Sequence, residues 1–410
     1  MKTKEMKGIT LVALVVTIVV LLILAGVSIN LVLGNNGIIA KAKDAETKSA
    51  EASQNDLKGM NGLVSEMEGA LAGNGSTGSG SGNGGAGGSG AGTKVPAEAT
   101  AETAPYFPDN TFTKKEGTID TGLVIADTEG NEYVWVVVPR TKAVYKTTEL
   151  GKITFSDEDY TSIENDLKDY TSTYKMGKDY SDTWYADNNN EDWLTETEYN
   201  TLKNNMLKSV YLNGGFYVGR YEVGIDPEKE QARSYERDYW TLHEATQKPV
   251  IKANAYPYTW VRRAQSQKLA ESFYSGNRTS SLMFGVQWNL VLAFMHNKGN
   301  IEDTKLISNS TTIGNYVNNL WTIKNEKAKY STDYGSSFTA CLNPFKKESS
   351  SSILLTTGAD SSFSVQNIYD IAGNVWEVTL ESHSDTNTAR IYRGGGGCRF
   401  DRFRMSCIWL

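Results

Sequence analysis

The chain has few of the side chains that enzymes most often use for nucleophilic or metal chemistry. Its 410 residues include three cysteines and three histidines. Cys341, Cys398 and Cys407 form no CxxC pair and no zinc-type spacing, and the histidines lie far apart in the sequence. The sequence also contains no glycine-rich phosphate loop, no GxSxG motif and no HExxH motif. These absences argue against a zinc site, a P-loop nucleotide site and the common hydrolase active sites.

Acidic residues outnumber basic ones, with 48 Asp and Glu against 41 Lys and Arg. The formal net charge is −7 at pH 7, so a general nucleic-acid partner is not expected. Aromatic residues are plentiful by contrast, with 22 Tyr and 9 Trp, and they concentrate after residue 105. Such residues can form a core and also present amphipathic rings at a binding surface.

The N-terminal segment has the length and composition of a membrane helix. Residues 9–33 contain no charged side chain, and at about 1.5 Å per residue they exceed a hydrocarbon core of about 30 Å. Three lysines precede this run, which predicts a cytoplasmic N-terminus and an extracellular remainder. A secretory signal peptide is the alternative, but the apolar run is long and lacks a small-x-small cleavage site. We therefore predict a signal and transmembrane helix over residues 1–37.

Composition divides the rest of the chain into three parts. Residues 38–71 are rich in Ala, Lys and Glu and predict a helical stalk, with a weakly structured linker as the alternative. Residues 72–105 are rich in Gly and Ser near their start and predict a flexible linker. Residues 106–410 predict one large aromatic-rich domain.

Local patterns within residues 106–410 predict an irregular α+β fold. Strand-type runs occupy residues 132–139 and 214–224, bounded by Gly, Asn and Asp. Helical spacing occurs at residues 265–274 and 286–299. Short strands mixed with a few helices are typical of α+β domains, and no repeat of solenoid length is present.

Five motifs resemble the formylglycine-generating-enzyme-like superfamily and occur in its order. They are GGFYVGRYEVG (214–224), KPVIKANAYPYTWVRRAQSQKLA (248–270), SLMFGVQWNLVLAF (281–294), NIYDIAGNVWEVT (367–379) and RIYRGGGG (390–397). The resemblance covers most of residues 120–410 and implies a C-type-lectin-like fold. The most specific parts match the family's GNVWEW and RGG patterns, and they are predicted as scaffold residues: Gly373, Asn374, Trp376, Glu377, Arg393, Gly394 and Gly395.

Elementary physical chemistry supports a scaffold role for the GNVWE motif. Gly373 suits a tight turn, Trp376 is predicted to fill the core, and Asn374 and Glu377 can join loops by hydrogen bonds.

The N-terminus also resembles type IV pilin-like proteins. Lys7-Gly8 followed by Ile9 is similar to the site at which prepilin peptidase cuts, which implies cleavage after Gly8 and Ile9 as the mature N-terminus. That family commonly has a glutamate at the fifth mature position, where this chain has Ala13. The resemblance therefore implies prepilin peptidase and pilus components as partners, and a minor rather than a major pilus subunit.

Enzymatic activity is the alternative that the first resemblance raises. Formylglycine-forming members use a pair of cysteines that bind copper, and Cys398 and Cys407 fall in the corresponding stretch. Their separation is wider than in the family and the neighbouring residues do not match, so we expect no catalytic residue and no cofactor. A disulfide or two buried thiols are the simpler interpretations.

Calcium-dependent sugar binding is not predicted, because the EPN, QPD and WND motifs of calcium-binding lectins are missing from the sequence. A structural calcium ion held by carboxylates such as Asp370 is an alternative.

The stretch after the RGG motif is similar to the variable region of proteins diversified by retroelements. Those systems mutate template adenines, so that AAC codons become any codon ending in C, a set that never encodes Trp or Met. This resemblance predicts a ligand-contacting surface, with Arg404 at its border: Gly396, Gly397, Cys398, Arg399, Phe400, Asp401, Arg402, Phe403 and Arg404. Met405 and Trp409 would be fixed. An ordinary final strand with solvated arginines is the alternative.

Together these patterns predict a bacterial, single-pass membrane protein that displays an extracellular ligand-binding domain. Its ligand is a protein, a peptide or a glycan. The alternatives are a formylglycine-generating-type oxidase and a minor pilin associated with a pilus.

The processing site makes a direct prediction. We expect N-terminal sequencing of the native protein to begin at Ile9, because the peptidase would remove residues 1–8 on the cytoplasmic side. An intact Met1 would contradict cleavage after Gly8.

Overall fold

The computed structural model describes the backbone of residues 107–175, 180–186, 193–232, 245–274, 278–307, 313–383, 391–395 and 408–409. The chain divides into two units, residues 1–85 and 86–410, and every described residue belongs to the second unit. The predicted transmembrane helix and stalk lie outside the described residues. Within those ranges, no helix is both long enough and apolar enough to cross a membrane.

The described residues form a mixed α+β structure, as the sequence predicts. Their helices are α1 (Asp157–Tyr170), α2 (Glu196–Asn213), α3 (Arg263–Glu271), α4 (Gly285–Gly299) and α5 (Asp303–Leu306), with 3₁₀ turns at Ser172–Tyr174 and Ser361–Phe363. Their strands are β1 (Thr113–Glu116), β2 (Val124–Ala126), β3 (Glu132–Val137), β4 (Tyr180–Ser181), β5 (Gly215–Gly219), β6 (Gly224–Ile225), β7 (Pro249–Val250), β8 (Tyr256–Pro257), β9 (Ser281–Leu282), β10 (Trp321–Ile323), β11 (Lys329–Ser331), β12 (Thr339–Ala340), β13 (Phe345–Lys347), β14 (Leu354–Leu355), β15 (Ser364–Val365), β16 (Ile368–Tyr369), β17 (Glu377–Val378), β18 (Ser382–His383), β19 (Tyr392–Arg393) and β20 (Ile408–Trp409).

One antiparallel sheet of six strands organises the domain, in the order β1-β2-β3-β5-β20-β9. Strand β3 is almost wholly buried, and its EYVWVV sequence is rich in the β-branched and aromatic residues that favour strands. Strand β20 lies inside the sheet, where Trp409 is opposite Val218 on one side and Ser281 on the other. The end of the described chain is therefore paired on both edges.

Smaller sheets complete the described structure. They are β7-β6-β8, β12-β11-β14, β10-β13, β15-β16, β17-β19 and β18-β4. The pair β17-β19 joins the GNVWE segment to the RGG segment, with Glu377 opposite Arg393 and Val378 opposite Tyr392. Two motifs that are separate in the sequence are thus neighbours in the fold.

Helices α2 and α4 supply much of the main core. Helix α4 is buried along residues 285–295, so its apolar residues pack on several sides. Helix α2 buries Tyr199, Met206, Leu207, Val210 and Tyr211. The predicted strands at 132–139 and 214–224 and the predicted helices at 265–274 and 286–299 are confirmed by β3, β5, β6, α3 and α4.

The sequence analysis missed helices α1 and α2, although both carry a local signal. Each begins with a capping box, in which Ser156 pairs with Asp159 and Thr195 pairs with Glu198. In such a box the two side chains satisfy backbone N–H groups that have no partner inside the helix. The spacing of a hydroxyl residue and an acidic residue three positions later could have revealed both helices.

The cysteines are not all described. Cys341 is buried and free, and burial raises the pKa of its thiol to about 11. Cys398 and Cys407, the predicted disulfide or buried thiols, lie outside the described residues.

Candidate functional site

The predicted ligand-contacting residues, Gly396–Arg404, lie outside the described residues, as do Gly8 and Ile9. The structure describes what flanks the ligand-contacting stretch: residues 391–395 before it, and the backbone of strand β20 soon after it. It also describes the loops that contact residues 391–395. We call these flanking residues and their contacts the frame of the candidate site.

Gly373 is required by the geometry of the frame. Its φ is +81°, a left-handed conformation that favours glycine. A Cβ atom at this position would lie 2.6–2.7 Å from backbone atoms of Asn315. The amide of Gly373 donates to the carbonyl of Gly394 at 2.9 Å. The left-handed conformation is one that the predicted tight turn would require, and the hydrogen bond to Gly394 brings the two motifs into contact.

Asn374 joins two loops and strand β14 through its side chain, and the predicted joining by hydrogen bonds is confirmed for this residue. Its Nδ2 donates to Glu222 Oε2 at 2.8 Å and to the Leu355 carbonyl at 3.2 Å. Its Oδ1 accepts from Asn315 Nδ2 and from the Leu355 amide, both at 3.0 Å. Glu222 is fully buried, and its other oxygen accepts from the Val375 amide at 3.2 Å. Because buried polar atoms need partners, this network specifies one arrangement of the loops.

Trp376 is not in the core, so that prediction is wrong. Its side chain is 39% exposed and lies against the ring of Tyr392, with 6.0 Å between ring centroids. Its neighbours Val375 and Glu377 are buried, and the alternation of an extended chain places Trp376 on the face opposite theirs. That face is covered at Val378, which is 1% exposed, and is not covered at Trp376.

Glu377 is fully buried beside the RGG motif. Its carboxylate lies so close to Gly394 that a Cβ atom there would be 1.9 Å from Glu377 Oε2. Burial, and then the negative charge of Glu377, raise the pKa of Tyr316 well above the usual tyrosine value. Tyr316 is therefore a neutral hydroxyl that can donate a hydrogen bond at physiological pH.

Arg393 forms a buried ion pair with Glu381. Its Nε donates to Glu381 Oε2 at 2.8 Å and its Nη2 donates to Glu381 Oε1 at 2.5 Å. The two side chains are only 3% and 4% exposed. Bidentate pairs of this kind combine strong charge-assisted bonds with a fixed relative orientation. The pair therefore fixes the strand that leads into Gly394.

Arg263 connects this ion pair to helix α3. Its Nε donates to the Thr379 carbonyl at 3.2 Å, and its Nη2 donates to the Glu381 carbonyl at 3.0 Å. The guanidinium lies 4.1 Å from the ring centroid of Trp193 and 4.9 Å from that of Tyr185. Cation–π contacts of this kind are favourable when the cation is desolvated.

Helix α4 begins at the same buried cluster. Asp182 accepts from the amides of Gly285 at 2.6 Å and Val286 at 3.0 Å, so it caps the helix N-terminus. Burial, and then the charge of Glu381, raise the pKa of Asp182 to about 6, against the opposing effect of Lys168. A Cβ atom at Gly285 would lie 2.2 Å from Glu381 Oε1, so only glycine fits beside this carboxylate.

The sequence analysis did not identify the charged partners of the frame. Glu222, Glu381, Asp182 and Arg263 lie outside the GNVWE and RGG segments. Glu222 bonds to Asn374 and Glu381 bonds to Arg393, whereas Arg263 bonds to the Glu381 carbonyl and Asp182 bonds to the start of helix α4. Three of them had a sequence signal, because Glu222 and Arg263 lie inside two of the five motifs and Glu381 follows the NIYDIAGNVWEVT motif by two residues.

Asp370 lies inside the loop that precedes the GNVWE motif. It is 2% exposed, its φ is +57°, and its Oδ2 accepts from the Gly358 amide at 2.6 Å. Burial raises the pKa of Asp370 to about 7. Within the described ranges, no three His, Cys, Asp or Glu side chains converge as a metal site. The structural calcium ion stays a prediction.

No protein-family model, no curated protein and no solved structure matches this chain.

The buried ion pair makes a stability prediction. We expect Arg393→Met to lower the free energy of unfolding of the full chain by about 3–5 kcal/mol, because Glu381 is left as an unpaired buried charge. The double variant Arg393→Met with Glu381→Leu should recover much of this loss. The control is Lys146→Met, which breaks an exposed ion pair with Asp169 and should have almost no effect. Urea unfolding monitored by tryptophan fluorescence measures all three, and equal effects at Arg393 and Lys146 would refute the role assigned to the pair.

Asp370 predicts a defined pH dependence. Its pKa is raised in the folded state, so folding favours the protonated carboxyl, and the associated stability is fully present below the ordinary aspartate value. That stability is lost as the pH rises to about 7. As the pH rises from about 4 to about 7, we expect the wild type to lose unfolding free energy relative to Asp370→Asn. Above about pH 7 the difference between the two should stay constant. The exposed substitution Asp157→Asn serves as the control, and a difference for Asp370→Asn that is constant with pH would contradict the assignment.

Proposed function

We propose that this chain is a membrane-anchored protein that displays a ligand-binding domain, and that residues 106–410 have the C-type-lectin-like fold of the formylglycine-generating-enzyme-like superfamily. The observation that carries the proposal is the rigid frame on which residues 396–404 begin. Gly394 is held by the GNVWE loop, and strand β20 is paired on both sides within the main sheet.

Contact between the two motifs supports the proposed fold. The GNVWE and RGG segments pair as neighbouring strands, and Gly373 donates directly to Gly394. Each residue of the two motifs other than Trp376 is either buried or held at positive φ by its neighbours. Motif residues that contact one another in this way favour a common structural unit, and they argue against a chance similarity to the family's motifs.

A segment that is fixed at both ends suits variable binding contacts. Gly395 precedes residues 396–407 and Ile408 follows them, and both flanking residues have defined partners. Substitutions on an exposed segment usually change stability little, since they remove no buried contact. Preorganised ends also reduce the entropy lost when a ligand binds.

The composition of the segment favours a protein, peptide or glycan ligand. Arg399, Phe400, Arg402 and Phe403 are of the types that dominate binding energy at interfaces. The exposed ring of Trp376 and the half-buried ring of Tyr392 lie next to the RGG segment and add fixed aromatic surface beside it. The membrane helix and the Gly/Ser linker would place this surface outside the cell and raise its effective concentration there.

The pilin-like N-terminus supports a second, compatible role. Lys7-Gly8-Ile9 favours processing by prepilin peptidase, so the displayed domain would be carried by a minor component of a pilus. In that case the ligand-binding role of the C-terminal residues is unchanged.

A selection experiment tests the binding role. The full chain is displayed on a bacterial host with Gly396–Arg404 randomised, and hen lysozyme serves as the probe. We expect variants with roughly micromolar or tighter dissociation constants, because the frame should tolerate the replaced side chains. A control library randomises exposed positions of the β13 region, namely Lys346, Glu348, Ser349 and Ser350. If both libraries give binders equally rarely, the proposal fails.

The neighbourhood of the gene offers an independent observation. A retroelement-diversified protein should have a nearby reverse transcriptase gene and an adenine-rich near-copy of its own 3′ end. If the neighbourhood contains neither the reverse transcriptase gene nor the near-copy, the proposed diversification by a retroelement fails. The binding role is then decided by the selection experiment alone.

A further inference from the structure

The carbonyl oxygen of Gly394 is the last strongly held acceptor before the proposed binding segment. It accepts from Tyr316 Oη at 2.5 Å and from the Gly373 amide at 2.9 Å. Gly394 and Gly395 both have positive φ, at +78° and +76°. The direction in which the chain leaves this point therefore depends on a residue pair with wide conformational freedom.

Tyr316 is well placed to restrict that freedom. Its amide donates to Asn319 Oδ1 at 2.8 Å, and its carbonyl accepts from Lys347 Nζ. Asn319 and Lys347 are each only 3% exposed. The phenol ring lies against Gly395, where an added Cβ atom would be 2.7 Å from Tyr316 Cε1. Backbone and ring are thus both fixed, and the hydroxyl is directed at one acceptor.

We infer that Tyr316 is a positioning residue of the proposed binding site, through the hydrogen bond from its hydroxyl to the Gly394 carbonyl. This inference rests on the proposed function, in which residues 396–404 contact the ligand. Tyr316 itself need not touch the ligand. Its effect is to hold the glycine pair in one conformation, so that less conformational entropy is lost on binding.

The physical reason lies in the run of four glycines, Gly394–Gly397. Glycine loses more conformational freedom on ordering than any other residue, so an unrestrained run of this kind would lower the affinity of whatever follows it. The Gly373 amide alone supplies one hydrogen bond to Gly394. The Tyr316 hydroxyl supplies a second hydrogen bond to the same carbonyl from a different loop. With two donors the Gly394 peptide group cannot rotate about a single hydrogen bond.

Amide hydrogen exchange at single-residue resolution tests the inference on the full chain in mild detergent. In Tyr316→Phe we expect the amides of Gly373 and Gly395 to exchange about three- to tenfold faster, because the hydrogen bond from the Tyr316 hydroxyl to the Gly394 carbonyl is lost. The Asn374 amide donates to the Asn315 carbonyl at 2.7 Å and is the internal reference, whose rate should not change. Tyr330→Phe removes a hydroxyl from another half-buried tyrosine, which stacks on Phe345, and should leave all three rates unchanged.

Two results would overturn the inference. One is wild-type exchange at Gly373 and Gly395 in Tyr316→Phe. The other is equal acceleration at Asn374, since Tyr316 would then stabilise the whole loop and would not position Gly394.

A binding measurement separates this inference from the proposed function. In a lysozyme-binding chain selected as above, Tyr316→Phe should raise the dissociation rate about three- to tenfold, and Tyr330→Phe should not. If lysozyme binders exist and Tyr316→Phe leaves their dissociation rates unchanged, the positioning role is wrong while the proposed function stands. If no binder can be selected, the proposed function fails, and the exchange rates still decide whether Tyr316 fixes Gly394.

Discussion

The frame depends above all on the buried ion pair between Arg393 and Glu381. Removing two charges from water is costly, and the pair compensates through bidentate geometry and a further hydrogen bond from Thr379 Oγ1 at 3.0 Å. Buried pairs of this kind are weak contributors to net stability, but breaking one by removing a single partner is strongly destabilising. Here the pair holds the register of strands β17 and β19, which brings Glu377 opposite Arg393.

Several other features follow from the position of Glu381. Helix α4 must begin with glycine at 285, because a side chain would collide with the Glu381 carboxylate. Asp182 caps the same helix, and the nearby negative charge contributes to its raised pKa. The Asn374 network then adds a second layer, which ties the GNVWE loop to Glu222 and to strand β14. The result is a set of loops whose backbone is held by buried polar contacts. In the proposed function, the side chains of the neighbouring segment bind ligand and are not needed for these contacts.

Local sequence patterns predicted much of the fold but little of the frame. The strands at 132–139 and 214–224 and the helices at 265–274 and 286–299 depend on spacing within one segment, which is why the sequence revealed them. Trp376 was predicted wrongly because size and apolarity suggest burial, whereas tertiary packing decides how far each face is covered: Val378 has the same phase as Trp376 and is buried. The hydrogen-bonding role of Asn374 was predicted from its residue type and motif, although its partners Glu222, Asn315 and Leu355 are distant in the sequence.

The charged partners could not have been predicted in the same way. Glu222 and Arg263 reach the frame from distant parts of the chain, and Asp182 acts on a helix that begins about a hundred residues later. Their roles depend on tertiary packing, and the residue type alone does not indicate which distant partner a charged side chain will meet. The hydrogen bond from Tyr316 to Gly394 likewise joins residues that are 78 positions apart in the sequence, so no local pattern could have predicted it.

The most direct measurement of the central claim compares two windows of nine residues in the full chain. Residues 371–379 belong to the frame, and residues 396–404 form the proposed binding segment. Each position is replaced in turn by Ala, Asp and Lys, and the melting temperature of every variant is recorded. The account predicts shifts of no more than about 2 °C throughout 396–404, and clearly larger losses at the buried positions of 371–379. Losses of equal size in both windows would contradict it, because residues 396–404 would then be part of the core and not a displayed surface.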